Sequence, residues 1–410
     1  MSEMLDHEVP SFPMARECPM RPPAEYREIR KQEPVSRVRM PDGQPAWLVA
    51  NHELARKLLA DPRVSSDRRH PAFPGRMTPE QRTAGERVRR LNTRRSMIFL
   101  DPPDHGNHRR MLVSEFSLRR IAALRPRVQE IVDRSIDNLL AAPHPADLVE
   151  HVSLAVPSLV ICELLGVPYE QRDSFHEWAR KLVDRTISVQ ERTAASEAIN
   201  HLLETLVIEK EQSAATDDLI GRLIARNRET PVLTRDEIVG TAVLLLIAGH
   251  QSTANMISLG VVALLENPEQ KAQVMADPSL LPSATDEMLR YFSIGENLIA
   301  RVAAEDIELG GVTIRKDEGI VVSGLAADWD DEVFANPERL DFHRDSRHHI
   351  AFGYGMHQCL GQNLARVELE IVFETLFRRL PNLSLAVPAD ELPYKNDAAI
   401  FGIYQVPVNF

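Results

Sequence analysis

The sequence predicts a mainly α-helical fold with a small β portion, organised around one long central helix. Three observations predict it. Helical periodicity runs almost throughout from His105 to about Lys210, with breaks at Pro143 and Pro145 and at Gly166-Val167-Pro168. A second pattern runs unbroken from Ile238 to Leu265, carries Gly249 in its interior and ends at Asn267-Pro268. Segments that alternate with a period of two are few and short.

Taken in order, Pro10, Pro13, Pro19, Pro22 and Pro23 make residues 9–23 an extended stretch, so residues 1–34 are expected as an N-terminal arm. Val35 to Ala50 alternates around Pro41-Asp42-Gly43 and predicts a β-hairpin. Asn51 then offers an N-cap to a short helix that Pro62 stops. Residues 63–104 have poor periodicity, several prolines and ten arginines, which predicts a long exposed loop. Four or five helices fit between His105 and Lys210, and Thr234 followed by Asp236 and Glu237 caps the long helix. Two shorter helices are expected near 268–276 and 282–292, then β segments at Ile299 to Ala303 and Val312 to Gly324. Residues 328–349 are polar and irregular, a helix starts just after Cys359, and a hairpin-like stretch closes the chain near 382–409.

Composition narrows the function. The 410 residues carry 48 Lys and Arg against 60 Asp and Glu, and the resulting charge of −12 argues against bulk attraction to nucleic acid or to an anionic membrane. Cys18, Cys162 and Cys359 cannot form a closed disulfide framework and show no paired metal-binding spacing, which favours a reducing cytosol. The first residues are acidic and lead into no apolar run, so a secretory signal is not expected and the location reads as cytoplasmic. The most apolar stretch, residues 242–249, is far shorter than the ~20 residues that span a bilayer.

The most specific segment is Phe352-Gly353-Tyr354-Gly355-Met356-His357-Gln358-Cys359-Leu360-Gly361. It is a glycine-punctuated turn that places one cysteine at a helix N-terminus, where free N–H groups and the helix dipole favour a thiolate, the form that binds metal. Gly361 beside it would let a flat group lie against the backbone.

This segment closely resembles the cysteine-ligand loop of cytochrome P450 monooxygenases, Phe-x-x-Gly-x-[His/Arg]-x-Cys-x-Gly, at every fixed position. The resemblance implies that Cys359 is the axial ligand of a haem b iron, with Phe352, Gly353, Leu360, Gly361 and Ala365 against the haem. Glu287 and Arg290, three apart on one helix, resemble the family's Glu-x-x-Arg, and Pro337-Glu338-Arg339 resembles the segment whose arginine completes that structural network. His105 and Arg109 match the family's His-x-x-x-Arg pair that holds haem propionates, and Arg301 and His357 match two further propionate contacts.

Ala248-Gly249-His250-Gln251-Ser252-Thr253 is similar to the oxygen-activating segment, Ala-Gly-x-[Asp/Glu]-Thr-Thr. The resemblance puts Leu244, Ala248 and Gly249 over the haem and Ser252 at the alcohol position that helps deliver protons. Gln251 departs from the pattern, because an amide cannot ionise to relay a proton; either water, His250 or a substrate hydroxyl supplies the relay, or O–O cleavage is slower and reducing equivalents leak to peroxide, and Thr253 is counted with these residues as catalytic.

The matches run in order from about residue 35 to residue 408 and imply a single-domain triangular-prism fold over residues 1–410. The look-alikes are soluble bacterial enzymes that oxidise secondary metabolites or xenobiotics. They imply O2-dependent hydroxylation or epoxidation of a hydrophobic small molecule, with electrons from NAD(P)H through ferredoxin reductase and ferredoxin, and a monomer as the default. His343, Arg344, Arg347, His348, His349, Arg109 and Arg110 are expected as a basic landing site for the ferredoxin on the cysteine side. Substrate contacts are expected from residues 82–98, from Leu182, Val183 and Ile187, from Leu298, Ile299 and Ala300, and from Ile400 and Phe401.

Three rivals stay open. Gln251 keeps alive a peroxide-driven or ring-closing haem enzyme. A haem sensor or carrier would share Cys359 without turnover, and a cysteine hydrolase needs a histidine base and an oxyanion hole that no pattern locates.

Overall fold

A computed structural model describes residues 9–75, 96–183, 187–213, 216–296, 298–396, 398 and 400–410. The chain divides into two compact units, one of residues 1–82, 286–359 and 395–401, the other of residues 83–285, 360–394 and 402–410.

The first unit holds the larger sheet. Strands β1 (Val35–Arg39) and β2 (Pro45–Val49) form the expected hairpin, with Gly43 at φ 85° in its turn. The sheet order is β1-β2-β8-β5-β3, with β3 at Val64–Ser65, β5 at Ile299–Ala303 and β8 at Gly319–Val322. β2 and β8 run parallel, Leu48 opposite Val321, and both faces are covered, so β8 is buried along its whole length. A separate hairpin, β6 (Ile307–Leu309) with β7 (Val312–Ile314), turns on Gly310 and Gly311 at positive φ.

Two expectations change here. The N-terminal arm is not extended throughout, because Glu25–Gln32 forms helix α1. Tyr26, fully buried, packs with Phe12, Val38 and Leu48, and Pro22 and Pro23 lie just ahead of the helix, where a missing N–H costs no helical bond. The stretch Val312 to Gly324 is not one β segment. It divides into β7 and β8, and Gly324–Asp328 is helix α12, with the Ser323 hydroxyl accepting from the Ala326 amide at 3.1 Å. Helix α2 (His52–Leu59) is capped as expected, Asn51 accepting from the Leu54 amide at 3.0 Å.

The second unit is helical: α3 (Asp104–Leu112), α4 (Leu118–Ala141), α5 (Ala155–Leu165), α6 (Arg172–Val183), α7 (Val189–Gln212), α8 (Leu219–Glu229), α9 (Arg235–Glu266), α10 (Pro268–Ala276) and, after α11 (Leu281–Phe292), α13 (Gln362–Arg379). Gly166, at φ 73°, ends α5 in the left-handed region, and a Cβ there would stand 2.4 Å from the Asp218 side chain. A small sheet joins β4 (Ala146–Asp147), β10 (Pro407–Asn409) and β9 (Ser384–Leu385).

The 32-residue α9 is the central helix. Thr234 and Glu237 close a reciprocal capping box, the Glu237 carboxylate accepting from the Thr234 amide at 2.9 Å. By length and composition α9 could cross a membrane, but 67% of its most apolar window is buried within the protein, as in a core helix.

Candidate functional site

The cysteine turn is built by hydrogen bonds that need its glycines. The Gly353 amide donates to the Ile350 carbonyl at 2.8 Å, Gln358 to Gly355 at 3.0 Å and Cys359 to Phe352 at 2.8 Å. Gly353 and Gly355 sit at φ 70° and 72°, where an L side chain is strained. At Gly355 a Cβ would also come within 2.2 Å of the Leu59 carbonyl oxygen. At Gly353 and Gly361, by contrast, an added Cβ would meet nothing within 4 Å. The turn therefore holds a half-buried thiol with open space at two flanking glycines.

Of the other thiols, Cys162 is fully buried and its pKa is pushed up to about 12 by that burial, so it is an inert core residue. Cys18 is exposed.

The same unit carries Arg301 on β5, half-buried, its Nη1 donating to the Ala300 carbonyl at 2.8 Å, and His357, whose Nε2 lies 3.0 Å from the Ser66 hydroxyl. It also carries the Glu287–Arg290 pair. The guanidinium donates bidentately, Nε to Oε2 at 2.7 Å and Nη2 to Oε1 at 2.9 Å, and spends its other hydrogens on the carbonyls of Asp328 and Pro337. Both side chains are wholly buried.

The third member is Arg344 rather than Arg339. Arg344 Nε reaches Glu287 Oε1 at 3.1 Å, joined by the Asp341 amide and the Ser346 hydroxyl, whereas Arg339 is exposed and takes part through its backbone, its carbonyl accepting from Arg344 and its amide donating to Asn336. The chain reverses at 341–344, where the Arg344 amide donates to the Asp341 carbonyl at 3.1 Å, and that turn brings the later arginine inward.

The expected basic landing site is also smaller than its sequence. Arg344 is committed to Glu287, the His349 side chain is buried 3.5 Å from Asp286, and exposed Arg347 is chelated by Asp345 at 2.8 and 2.9 Å. His348 stacks on Phe334, and burial lowers its pKa, so it carries less charge than a free histidine.

In the helical unit, His105 is buried and Arg109 half-buried, one turn apart on α3, while His108 between them lies 3.6 Å from Glu237. α9 is buried along most of its length but opens once. Ile247 is 39% exposed, Ala248 is exposed, and Gly249, Gln251 and Ser252 are half-buried, whereas Leu244, His250 and Thr253 are buried. A Cβ on Gly249 would lie 3.5 Å from Ile161, an ordinary contact, so neighbouring protein atoms do not demand a glycine there. The Ser252 hydroxyl donates to the Ala248 carbonyl at 2.6 Å.

Among the substrate positions, Ala300 and Phe401 are buried, Leu298 is 41% exposed, and Ile299, Ile400, Leu182 and Ile187 are half-buried. The Val183 side chain and residues 82–95 lie outside the described residues. Among the described residues no group of three or more His, Cys, Asp or Glu is placed to hold a metal ion.

A family model described as Cytochrome P450 matches residues 187–388. Pentalenic acid synthase of Streptomyces avermitilis is 47% identical over 401 residues, 98% of this chain and 97% of that protein. Vitamin D3 dihydroxylase of Streptomyces griseolus is 43% identical over 404 residues, 98% and 97% of the two. The crystal structure of cytochrome P450 MoxA from Nonomuraea recticatena, 47% identical and covering 98% of each chain, superimposes with a TM-score of 0.92.

The chain is a cytochrome P450. It is a haem-thiolate monooxygenase whose cofactor is haem b, which acts on a hydrophobic small molecule and takes electrons from NAD(P)H through redox partners. The residues fit that group. The half-buried thiol supplies a soft donor, and the space beside Gly353 and Gly361 is what a flat macrocycle requires.

Proposed function

We propose that Cys359 is the axial thiolate of the haem and that His105, Arg109, Arg301 and His357 hold its propionates. The observation that carries the reading is the Cys359 turn, where two glycines at positive φ shape the backbone and two flanking glycines leave room beside the thiol. Haem held there would supply the oxidising chemistry by which one atom of O2 enters a C–H bond of the substrate and the other leaves as water, at the expense of two electrons from NAD(P)H and two protons.

The protein's own part is positioning and proton supply. On this reading the opening of α9 at 247–252, where Ile247, Ala248, Gly249, Gln251 and Ser252 are exposed or half-buried, is the reaction side, and Ser252 Oγ is the hydroxyl on it. In the resting arrangement that proton is spent on the Ala248 carbonyl, so a rotation about χ1 of Ser252 must release it. Gln251 can accept or donate a hydrogen bond but holds no exchangeable acid proton, which leaves the relay to Ser252 with His250 and Thr253 behind it.

Substrate is held by Leu182, Ile187, Leu298, Ile299, Ala300, Ile400 and Phe401. Relatives named for pentalenic acid and vitamin D3 support a hydrophobic small molecule such as a secondary metabolite. Electrons arrive from a ferredoxin and its reductase, and the enzyme works as a cytoplasmic monomer of one domain.

Absorption spectra test the central assignment. Wild-type protein, reduced under carbon monoxide, gives the red-shifted Soret band of a thiolate ligand. Cys359→Ser abolishes that band while far-UV circular dichroism stays native; a variant that keeps the red-shifted band unchanged would remove Cys359 from the iron.

A further inference from the structure

A buried ion pair in the first unit ties the N-terminal arm to two of the substrate segments. Arg16 Nη2 donates to Glu296 Oε2 at 3.0 Å across 280 residues of sequence, and the two side chains are only 7% and 8% exposed. The second carboxylate oxygen is taken as well, because the hydroxyl of fully buried Tyr26 donates to Glu296 Oε1. The flat face of the same guanidinium lies 3.9 Å from the ring centroid of Phe401. Phe401 in turn donates its amide to the Ile294 carbonyl at 3.1 Å, so the residue that Arg16 stacks on and the turn that Arg16 pairs with are bonded to each other. That turn, residues 293–296, lies just ahead of β5 in sequence.

Withdrawing two charges from water is costly, and apolar packing would serve stability as well or better, so a buried pair of this kind acts chiefly to fix a geometry. Arginine can meet both demands, since its planar fork pairs with a carboxylate while its face stacks on an aromatic ring; a lysine can meet only the first. The arm is itself anchored. Phe12, 1% exposed, donates its amide to the Arg39 carbonyl at 2.9 Å, which sets the start of the segment that carries Arg16.

We infer that Arg16 is a positioning residue for substrate selectivity, holding the Phe401 ring and the 293–296 turn in one arrangement through its pair with Glu296. The inference rests on the reading in which Leu298 to Ala300 and Ile400 to Phe401 face the substrate. It assigns a role to the N-terminal arm, far in sequence from every segment expected to contact substrate.

The test uses holoenzyme and two nitrogen ligands read by difference spectra. Imidazole coordinates the haem alone, and 4-phenylimidazole adds an apolar ring that must pack beside the substrate residues. The ratio of the two affinities reports that packing and cancels any effect on the haem. Arg16→Gln lowers the ratio by about tenfold, Arg16→Lys by less because the charge is kept and the stack is lost. Because Arg16→Gln leaves Glu296 short of its cation, the double variant Arg16→Gln with Glu296→Gln removes both charges and carries the test if the single variant does not fold. The carbon monoxide spectrum stays of the thiolate type in each, and hydrogen exchange at the Phe401 amide rises.

Phe401→Ala separates the inference from the reading beneath it. If that control shifts the ratio and the double variant does not, Arg16 has no positioning role. If the control leaves the ratio unchanged, the substrate assignment of Phe401 fails and takes the inference with it. Equal losses for both ligands in the Arg16 variants would mark a general structural role and overturn the inference.

Discussion

Glu368 on α13 is a buried carboxylic acid. It is 3% exposed, its Oε2 has no hydrogen-bond partner among the described residues, and burial alone raises its pKa from 4.5 to about 8. It therefore folds in as the neutral acid. The sign follows from proton counting. Below the unfolded pKa both states hold the proton and Glu368 adds no pH dependence, whereas between 4.5 and about 8 only the folded state holds it. Stability then falls as pH rises, by about 1.4 kcal/mol per unit across that window, and levels off above the folded value. Glu368→Gln keeps the shape and removes the titration. Urea unfolding at pH 5 and pH 8 checks this: the variant gains several kcal/mol on wild type between the two values, about 3–4 by this slope. Any fixed cost of the buried amide cancels in that difference, and an equal offset at both pH values would show that Glu368 folds in ionised.

At the scale of elements, the end of α11 is fastened to the irregular stretch after it by one arginine that the sequence did not single out for that role. Arg344, 10% exposed at the side chain, donates to Glu287 and to the carbonyls of Ala335, Asn336 and Arg339, so it closes a segment that has little regular hydrogen bonding. Removing it leaves Glu287 with Arg290 but takes a donor from the Ala335 and Arg339 carbonyls, while the Asn336 carbonyl keeps the Arg339 amide at 3.1 Å. Arg344→Ala should cost about 2–3 kcal/mol in equilibrium unfolding and Arg339→Ala less than about 0.5. A reversed order would return the role to Arg339. The two cases show what sequence can and cannot specify. Glu287 and Arg290 are legible because three residues on a helix fix their separation, and α9 is legible from Thr234 to Asn267 because its period and capping box are local. Arg339 and Arg344 lie in a stretch without period, where either could turn inward until the reversal at 341–344 decides. α1 is hidden behind the prolines that precede it, and the Arg16 pair has no local signature at all because its partner lies 280 residues away. The cysteine turn is the opposite case, since its motif is contiguous and its hydrogen bonds close within a few residues.

For the whole molecule, the question is whether the two compact units are separate folding bodies. The chain changes unit five times, after residues 82, 285, 359, 394 and 401. The larger sheet needs β1, β2 and β3 from one segment and β5 and β8 from another more than 200 residues on, and the smaller sheet likewise joins β4 to β9 and β10. Neither set of strands can close from a continuous stretch of chain, so each unit needs distant segments of the chain before its sheet can form. The proposal of one domain therefore predicts one cooperative transition. The tryptophans make it measurable, because Trp47 and Trp329 belong to one unit and Trp178 to the other. Trp178→Phe leaves fluorescence reporters only in the unit that holds the larger sheet, and Trp47→Phe with Trp329→Phe leaves one only in the helical unit. Urea titrations of the two variants, each followed by fluorescence and far-UV circular dichroism, should give coincident midpoints within each variant. A fluorescence transition that precedes the circular dichroism transition in one variant and follows it in the other would mean that the units unfold independently and that the chain, despite its interleaving, holds two domains.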